Sequence, residues 1–391
     1  MANILIISDA PHSNTGLGRV AKELGKRLTG ANRVVFAANM VGCDETTDFE
    51  VHSVRRMDDF NTEDVKRFWQ IIHDIIKKHN IDVVFHIGDP WTILDAEKFK
   101  AVVGIPIVSY LTIDGSPLSI LYKNLVNSLD SVICFSEYGK KVLEVAGIQS
   151  KIDVVYPGID HMNDFVDIKF ARPDMLKNRF VIGWFGANSP RKDLFSALSI
   201  FADFAQKKDD VVLLVNTYKN GVVNPFEWVK NLELQKKVIL SVESSPTVGL
   251  EASRYYSLMN MCDVGLFTAI GEGFGLIVPE FLRLGKIVVA PENTTFPELL
   301  GYGERGFICR CKPMMGMRNQ LRWTTYNNDF VRTLNKIYNE TKKKRDFSKM
   351  INGGIEFAKT LRWDDTAAKI EKIIVEAVES ANSLNKISIM A

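Results

Sequence analysis

"CDVGLFTAIGEGFGLIVPEFLRLGKIVVAP", residues 262–291, reads as a strand, a glycine turn, a helix and a second strand in succession. "CDVGLFTA" is apolar and of strand length, and "GEGFG" follows at its carboxyl end. Pro279 has no N–H to donate and is tolerated only in the first turn of a helix. The helix is therefore expected to begin between Leu276 and Pro279, and "KIVVAP" to return as the next strand. This is a βαβ unit, the building block of parallel sheets.

The same alternation runs outward in both directions. Upstream, "NILIISD", "VVFAA", "DVVFHIGD", "IPIVSYLTID", "SVICFS" and "IDVVYPG" are short apolar runs separated by amphipathic text such as "EDVKRFWQIIHDIIKKH". In "GLGRVAKELGKRL", Leu17, Val20, Leu24 and Leu28 fall on one helical face. The pattern stalls over 158–178 and restarts with "RFVIGWFGA", "DVVLLVNTY" and "KKVILSV". Continuous rather than alternating apolar strands fit sheets covered on both faces. The expected fold class is α/β, with two Rossmann-like, doubly wound parallel-sheet domains facing a cleft. The first would take residues 1–165 and the second 166–362. Ligands of such sheets sit at the carboxyl ends of the strands.

Composition narrows the class. At 391 residues the chain is long enough for two or three domains, and 46% apolar with 25% charged residues is globular. A net charge of +2 gives no bulk attraction to nucleic acid or an anionic membrane. The five cysteines (Cys43, Cys134, Cys262, Cys309 and Cys311) are scattered and odd in number, as expected of reduced thiols in the cytoplasm. No run of about 18 apolar residues is present to span a bilayer. The Cys309–Cys311 pair has no partners to make a metal site, the second half has no Asp-x-Asp at a strand end, and no metal is expected. "KKKR" at 342–345 reads as a solvated helix face.

Three strand-end loops carry candidate chemistry. After the first strand, Gly16 and Gly18 precede a helix, so they serve either an anion at its N-terminus or only a tight turn. The third glycine and the later acid of a dinucleotide fingerprint are missing, which argues against a nicotinamide enzyme. In "GWFGANSPRKDLFSAL", Arg191 and Lys192 are expected in the first turn of a helix, where cations oppose the dipole unless an anion such as a diphosphate binds. Gly186 would leave room for that ligand. In the opening stretch, the amides of Gly273, Phe274, Gly275 and Leu276 would form a phosphate seat. Glu272 and Glu280 flank it, and carboxylates there suit sugar and ribose hydroxyls.

With these residues in place, the chain resembles family 4 of the retaining glycosyltransferases, which have the two-domain GT-B fold. Glu272, seven residues and then Glu280 match that family's paired-glutamate motif, and "FGANSPRKD" is similar to its Arg-Lys segment. "ENTTFPELLG", "SEYGKKVLEVAGI", "VVYPGID" and "LRWDD" extend the likeness over nearly the whole chain. The resemblance implies that Glu272 lies near the donor sugar's hydroxyls and that Glu280 binds the nucleotide ribose. It places the diphosphate on Phe274 to Leu276, Arg191 and Lys192. It further implies that the last helix, 363–391, completes the first domain. Where many members carry a histidine after the fourth strand of the first domain, this chain has Asp114, either a base for the acceptor or the shaper of an Asp-Gly turn. His86 and Asp89, in "FHIGDPW", are a second acceptor-side set, although a lone histidine is more often a core residue. Residues 310–328 depart from the family's acidic text and receive no role.

The resulting expectation is a metal-independent, retaining transfer of sugar from a nucleotide sugar, UDP- or GDP-linked, to an acceptor hydroxyl. The nucleotide sugar is a co-substrate, and no cofactor is expected. Glycan, lipid, protein and modified nucleobase acceptors all remain open, as does peripheral contact with a membrane. The alternatives are a nucleotide-sugar epimerase on the same fold and a catalytically silent nucleotide-sugar-binding protein.

Overall fold

The computed structural model describes residues 1–39, 48–54, 62–168, 170–219, 221–243, 250–316 and 320–390. Cys43 lies outside them. The described chain groups into two compact units. The first is built chiefly from Met1–Gly158 and Arg362–Ala391, the second from Ile159–Met317 and Leu321–Leu361.

The first unit runs β1 (Asn3–Asp9), α1 (Gly16–Leu28), β2 (Arg33–Asn39), β3 (Glu50–Val54), α2 (Thr62–His79) and β4 (Val83–Gly88). It continues through α3 (Ala96–Val103), β5 (Ile107–Leu111), α4 (Ile120–Ser128), β6 (Ser131–Cys134), α5 (Glu137–Val145) and β7 (Ile152–Val154). Its seven strands are parallel, in the order β3-β2-β1-β4-β5-β6-β7. Every residue of β4 and β5 is buried, as the unbroken apolar runs require. Ile72, Val84, Leu111 and Val132 lie at the centre of its core. On α1, Val20, Leu24 and Leu28 are buried, and Leu17 at the mouth of the helix is half-buried.

In the first unit, β3 was hidden from the sequence. β3, "EVHSV", pairs among the described residues with β2 alone, and of its five residues only Val54 is buried, so no apolar run marks it. With β3 counted, the strand leading to Asp114 is the fifth of its sheet rather than the fourth.

The second unit runs α6 (Asn163–Val166), β8 (Phe180–Phe185), α7 (Leu194–Phe204), β9 (Val211–Tyr218), α8 (Pro225–Asn231), β10 (Val238–Glu243) and α9 (Ala252–Asn260). Then come β11 (Val264–Leu266), α10 (Ile277–Arg283), β12 (Ile287–Pro291), α11 (Phe296–Leu299) and β13 (Phe307–Cys309). The unit closes with β14 (Cys311–Met315), β15 (Leu321–Thr325), α12 (Asn327–Lys342) and α13 (Ser348–Lys359). Six parallel strands lie in the order β10-β9-β8-β11-β12-β13, and β14 pairs antiparallel with β15. Ile182, Phe201, Val215 and Val289 are fully buried in its core. Residues 159–165, assigned from sequence to the first domain, group with this unit, where His161 and Phe165 pack against Tyr256.

The last helix, α14 (Trp363–Met390), belongs to the first unit. Trp363 is fully buried, Thr366 donates its hydroxyl to the Tyr156 carbonyl at 2.8 Å, and Asn32 bonds Glu371 at 2.7 Å. Gly158 allows this docking, because a Cβ there would stand 2.3 Å from the Trp363 nitrogen and 2.7 Å from its Cα. Gly158→Ala should therefore cost about 1–3 kcal/mol, as overpacking does, read as a lower denaturation midpoint. An unchanged midpoint would mean that α14 docks without this close approach.

Candidate active site

In the second unit the sheet order reverses between β8 and β11, which are neighbours although their successors leave in opposite directions. A crevice opens at such a switch point outside the carboxyl ends of the strands. The turn after β8 carries Arg191 and Lys192, and the loop after β11 carries Glu272 and the glycine turn. Sheet topology thus brings together residues about 80 positions apart.

Arg191 and Lys192 do not stand in the first helical turn as expected. α7 begins at Leu194 with Asp193 as its N-cap, whose carboxylate accepts from the Ser196 amide at 3.1 Å. The acid takes the capping position, and the two cations stand in the turn before it. Their charge is met by Glu272. Arg191 Nη1 donates to Glu272 Oε2 at 2.5 Å and to the Gly271 carbonyl at 2.9 Å, while Lys192 Nζ donates to Glu272 Oε1. Glu272 is 6% exposed. Burial pushes its carboxyl up, but the charges of Arg191 and Lys192 and their hydrogen bonds outweigh burial and hold it down to about 2.

The backbone around this cluster is fixed by further hydrogen bonds. Thr268 donates to the carbonyls of Lys192 at 3.1 Å and Asp193 at 2.8 Å, and accepts from Trp184 Nε1 at 3.0 Å. The Ile270 amide donates to the Arg191 carbonyl at 2.9 Å, and its own carbonyl accepts from the Trp323 amide at 3.0 Å. The Glu272 amide donates to Thr294 Oγ1 at 3.0 Å, and Thr295 Oγ1 donates to the Phe274 carbonyl at 2.8 Å. Thr294 has φ +44°, a left-handed conformation that costs a β-branched residue about 1–3 kcal/mol. Sequence reasoning missed Thr268, Thr294 and Thr295. The "NTT" at 293–295, one residue after β12, was the available signal.

The glycine turn runs Gly273, Phe274, Gly275 (φ +88°) and Leu276, with Leu276 as the N-cap of α10. A small crevice lies beside it, lined among others by Trp184, Lys192, Thr268, Glu272, Gly275 and Phe296. Gly186 directly follows β8, and a Cβ there would meet Trp184 at 3.3 Å and Lys192 at 3.5 Å. Glu280 keeps separate company. It is fully buried in α10, with Tyr256 donating to Oε1 at 3.2 Å, Tyr255 to Oε2 at 3.5 Å, and His161 Nε2 at 3.6 Å. The two tyrosines and the histidine were not singled out from sequence.

The remaining candidates lie in the first unit. The Gly18 amide donates to the N-cap hydroxyl of Thr15 at 2.9 Å, and a Cβ on Gly18 would stand 2.6 Å from the Ala10 carbonyl, so the tight turn itself requires this glycine. Gly16 opens α1 and is exposed. His86 is buried in β4 with Nε2 2.7 Å from Thr92 Oγ1, and Asp89 Oδ1 accepts from Thr112. Asp114 is buried in the loop after β5. Burial pushes the thiols of Cys262 and Cys309 up to about 12, far from a nucleophile's range. Among the described residues, the one cluster of His, Cys, Asp and Glu spaced for a metal is Glu50, His52 and His79, in the first unit. No helix among the described residues is long and apolar enough to cross a membrane.

Both halves of the chain match known families. Residues 14–162 match Glycosyltransferase Family 4, and residues 167–350 match Glycosyl transferases group 1. An uncharacterized glycosyltransferase of Bacillus subtilis, YqgM, is 23% identical over 314 residues, spanning 75% of this chain and 79% of its own. Anabaena Alr3699/HepE, solved with UDP and glucose, superposes with a TM-score of 0.71 at 17% identity, covering 96% of this chain and 100% of its own. The sucrose-phosphate synthase of Thermosynechococcus elongatus gives 0.73 at 12% identity, with 97% and 100% covered. The chain belongs to the family 4, group 1 glycosyltransferases and has the GT-B fold. It is a glycosyltransferase, an enzyme that transfers a sugar.

The Glu272 carboxyl sits below its unfolded value of 4.5, so the stability it contributes is fully present above that pH and is lost as pH falls toward about 2. Parent protein should lose stability across this window, and Glu272→Gln should lack that part of the loss. At neutral pH the same variant should cost about 2–3 kcal/mol, short of a fully buried pair because Arg191 is 38% exposed. Denaturation curves from pH 7 to pH 2 check both; parallel curves for parent and variant would refute the pairing.

Proposed function

We propose that this enzyme binds the donor diphosphate at Arg191, Lys192 and the amides of Gly273 to Leu276, and transfers the sugar with retention and without a metal. The observation that carries the reading is the convergence of two cations on one buried carboxylate at the switch point of the second sheet. Arg191 and Lys192 bring two positive charges against the single charge of Glu272, so the cluster remains attractive to an anion. As the phosphates engage the cations, the Glu272 carboxylate is released to accept hydrogen bonds from the sugar hydroxyls. The cations then stabilise the charge that builds on the departing diphosphate, the task a metal performs elsewhere.

Glu280 is proposed to receive the ribose, with Tyr255, Tyr256 and His161 holding its carboxylate in place. A uridine donor is favoured by the relative solved with UDP and glucose. Asp114 is proposed as the acceptor-side residue of the first unit, with His86 and Asp89 positioning its surroundings through Thr92 and Thr112. A cytoplasmic location is part of the proposal, supported by the free, buried thiols of Cys262 and Cys309.

A thermal-shift panel of nucleoside diphosphates and their sugars would identify the donor. With that donor, Arg191→Ala and Lys192→Ala should each lower kcat by roughly 10²–10³, the usual loss for a charge-stabilising donor. Glu280→Ala should chiefly weaken nucleotide binding, measured by calorimetry. Parent-like turnover in both cation variants would overturn the phosphate assignment.

A further inference from the structure

β3 carries Glu50 and His52, two residues apart and so on one face of the strand. His79, the last residue of α2, is 3% exposed and meets them there. His52 Nε2 and His79 Nε2 are 3.0 Å apart, and Glu50 Oε1 lies 3.5 Å from the first and 3.3 Å from the second. We propose that Glu50, His52 and His79 bind a divalent transition ion of the zinc class.

The triangle has the dimensions of one face of a tetrahedral site. Zinc bonds of about 2.0–2.1 Å to nitrogen and oxygen place tetrahedral ligand atoms about 3.3 Å from one another. The three observed edges bracket that spacing, so an ion just above the triangle reaches all three atoms without rebuilding the backbone. Two imidazoles and a carboxylate are a donor set suited to zinc rather than to calcium or magnesium. The fourth position faces the Glu50 side, where the carboxylate is 44% exposed and water can enter.

Two cations border the site. Arg33 Nη2 lies 3.0 Å from His79 Nδ1 and 3.6 Å from Glu50 Oε2, and Lys78 Nζ lies 3.6 Å from Glu50 Oε1. Their side chains are 51% and 63% exposed and turn into solvent at little cost. When Nε2 of His79 binds the ion, the ring's proton sits on Nδ1, and Arg33 turns from that nitrogen to Glu50 Oε2. No net proton is gained or lost by a neutral ring in this exchange.

The site lies toward the amino ends of the strands, since His79 closes α2 just before β4 and the neighbouring Asp82 carboxylate accepts from the Asn3 amide that opens β1. Ligands of α/β sheets bind at the opposite ends. The ion is therefore a structural clip that ties the edge strand β3 to α2, independent of sugar transfer.

The test uses untagged, full-length protein stripped with chelator and titrated with zinc chloride. Calorimetry and elemental analysis should give one ion per chain, with a higher unfolding midpoint when the ion is bound. His52→Ala, partly exposed and tolerant of truncation, and Glu50→Gln should each weaken binding by at least about tenfold, while nucleotide binding stays unchanged. The proposal is overturned if the stripped parent takes up no stoichiometric zinc. It is equally overturned if folded His52→Ala/Glu50→Gln protein, checked by circular dichroism, binds zinc as tightly as the parent.

Discussion

The second unit is organised around one buried carboxylate and two cations. Taking Glu272 out of water is costly, and a carboxyl in that position alone would give up its charge. Arg191 and Lys192 reverse the balance, and the group stays ionised well below its ordinary range. Because buried ion pairs seldom add net stability over apolar packing, their retention is better explained by what the charges do. Here they join the loop of β8 to the loop of β11 across the switch point, and so fix the geometry of the pocket between Lys192 and the glycine turn.

That charge cluster works only if its backbone does not drift, and most of the nearby hydrogen bonds serve this end. Thr268 reads the carbonyls of Lys192 and Asp193, Ile270 is bonded on both its amide and carbonyl sides, and Thr294 accepts the amide of Glu272 itself. Thr294 does so from a left-handed conformation that a β-branched residue normally avoids. Strain of that kind persists where surrounding contacts over-determine the position. α10, with Phe281 buried beneath Gly265, sets the floor of the same region, since a Cβ on Gly265 would stand 2.8 Å from the Phe281 ring.

The fold was legible because parallel strands buried on both faces must be apolar throughout, and β1, β4, β5, β8, β9 and β12 announce themselves that way. What escaped was governed by other rules. β3 and β15 have a face that needs no cover, and β13 has only three residues. Glu272, Arg191 and Lys192 could be named from residue type and strand-end position. Their mutual pairing could not, because it depends on which strands are neighbours. The same limit hid the partners of Glu280, since His161 lies 119 positions before it and nothing local links the two. It also hid the triangle of Glu50, His52 and His79, whose histidines are 27 residues apart. The placement of Arg191 and Lys192 failed for a local reason: Asp193 is the better N-cap, and it sets the helix start at Leu194, beyond both cations.

The polar text of 310–328, which departs from the family pattern, gains a physical account from the same cluster. Cys311–Met315 and Leu321–Thr325 pair as an antiparallel ribbon, and β14 is mostly exposed. Two strands without a third carry Pro313, which an interior strand would reject. The ribbon has little core of its own, so hydrogen bonds to the rest of the unit set its place. One is the Trp323 amide on the Ile270 carbonyl; another is the Arg310 amide on the Asp329 carboxylate at 2.9 Å. The first anchor lies two residues from Glu272. The ribbon therefore braces the loop that carries the buried carboxylate from the side opposite Arg191, and the departure from the family pattern falls on a support of the Glu272 loop rather than on an idle insertion.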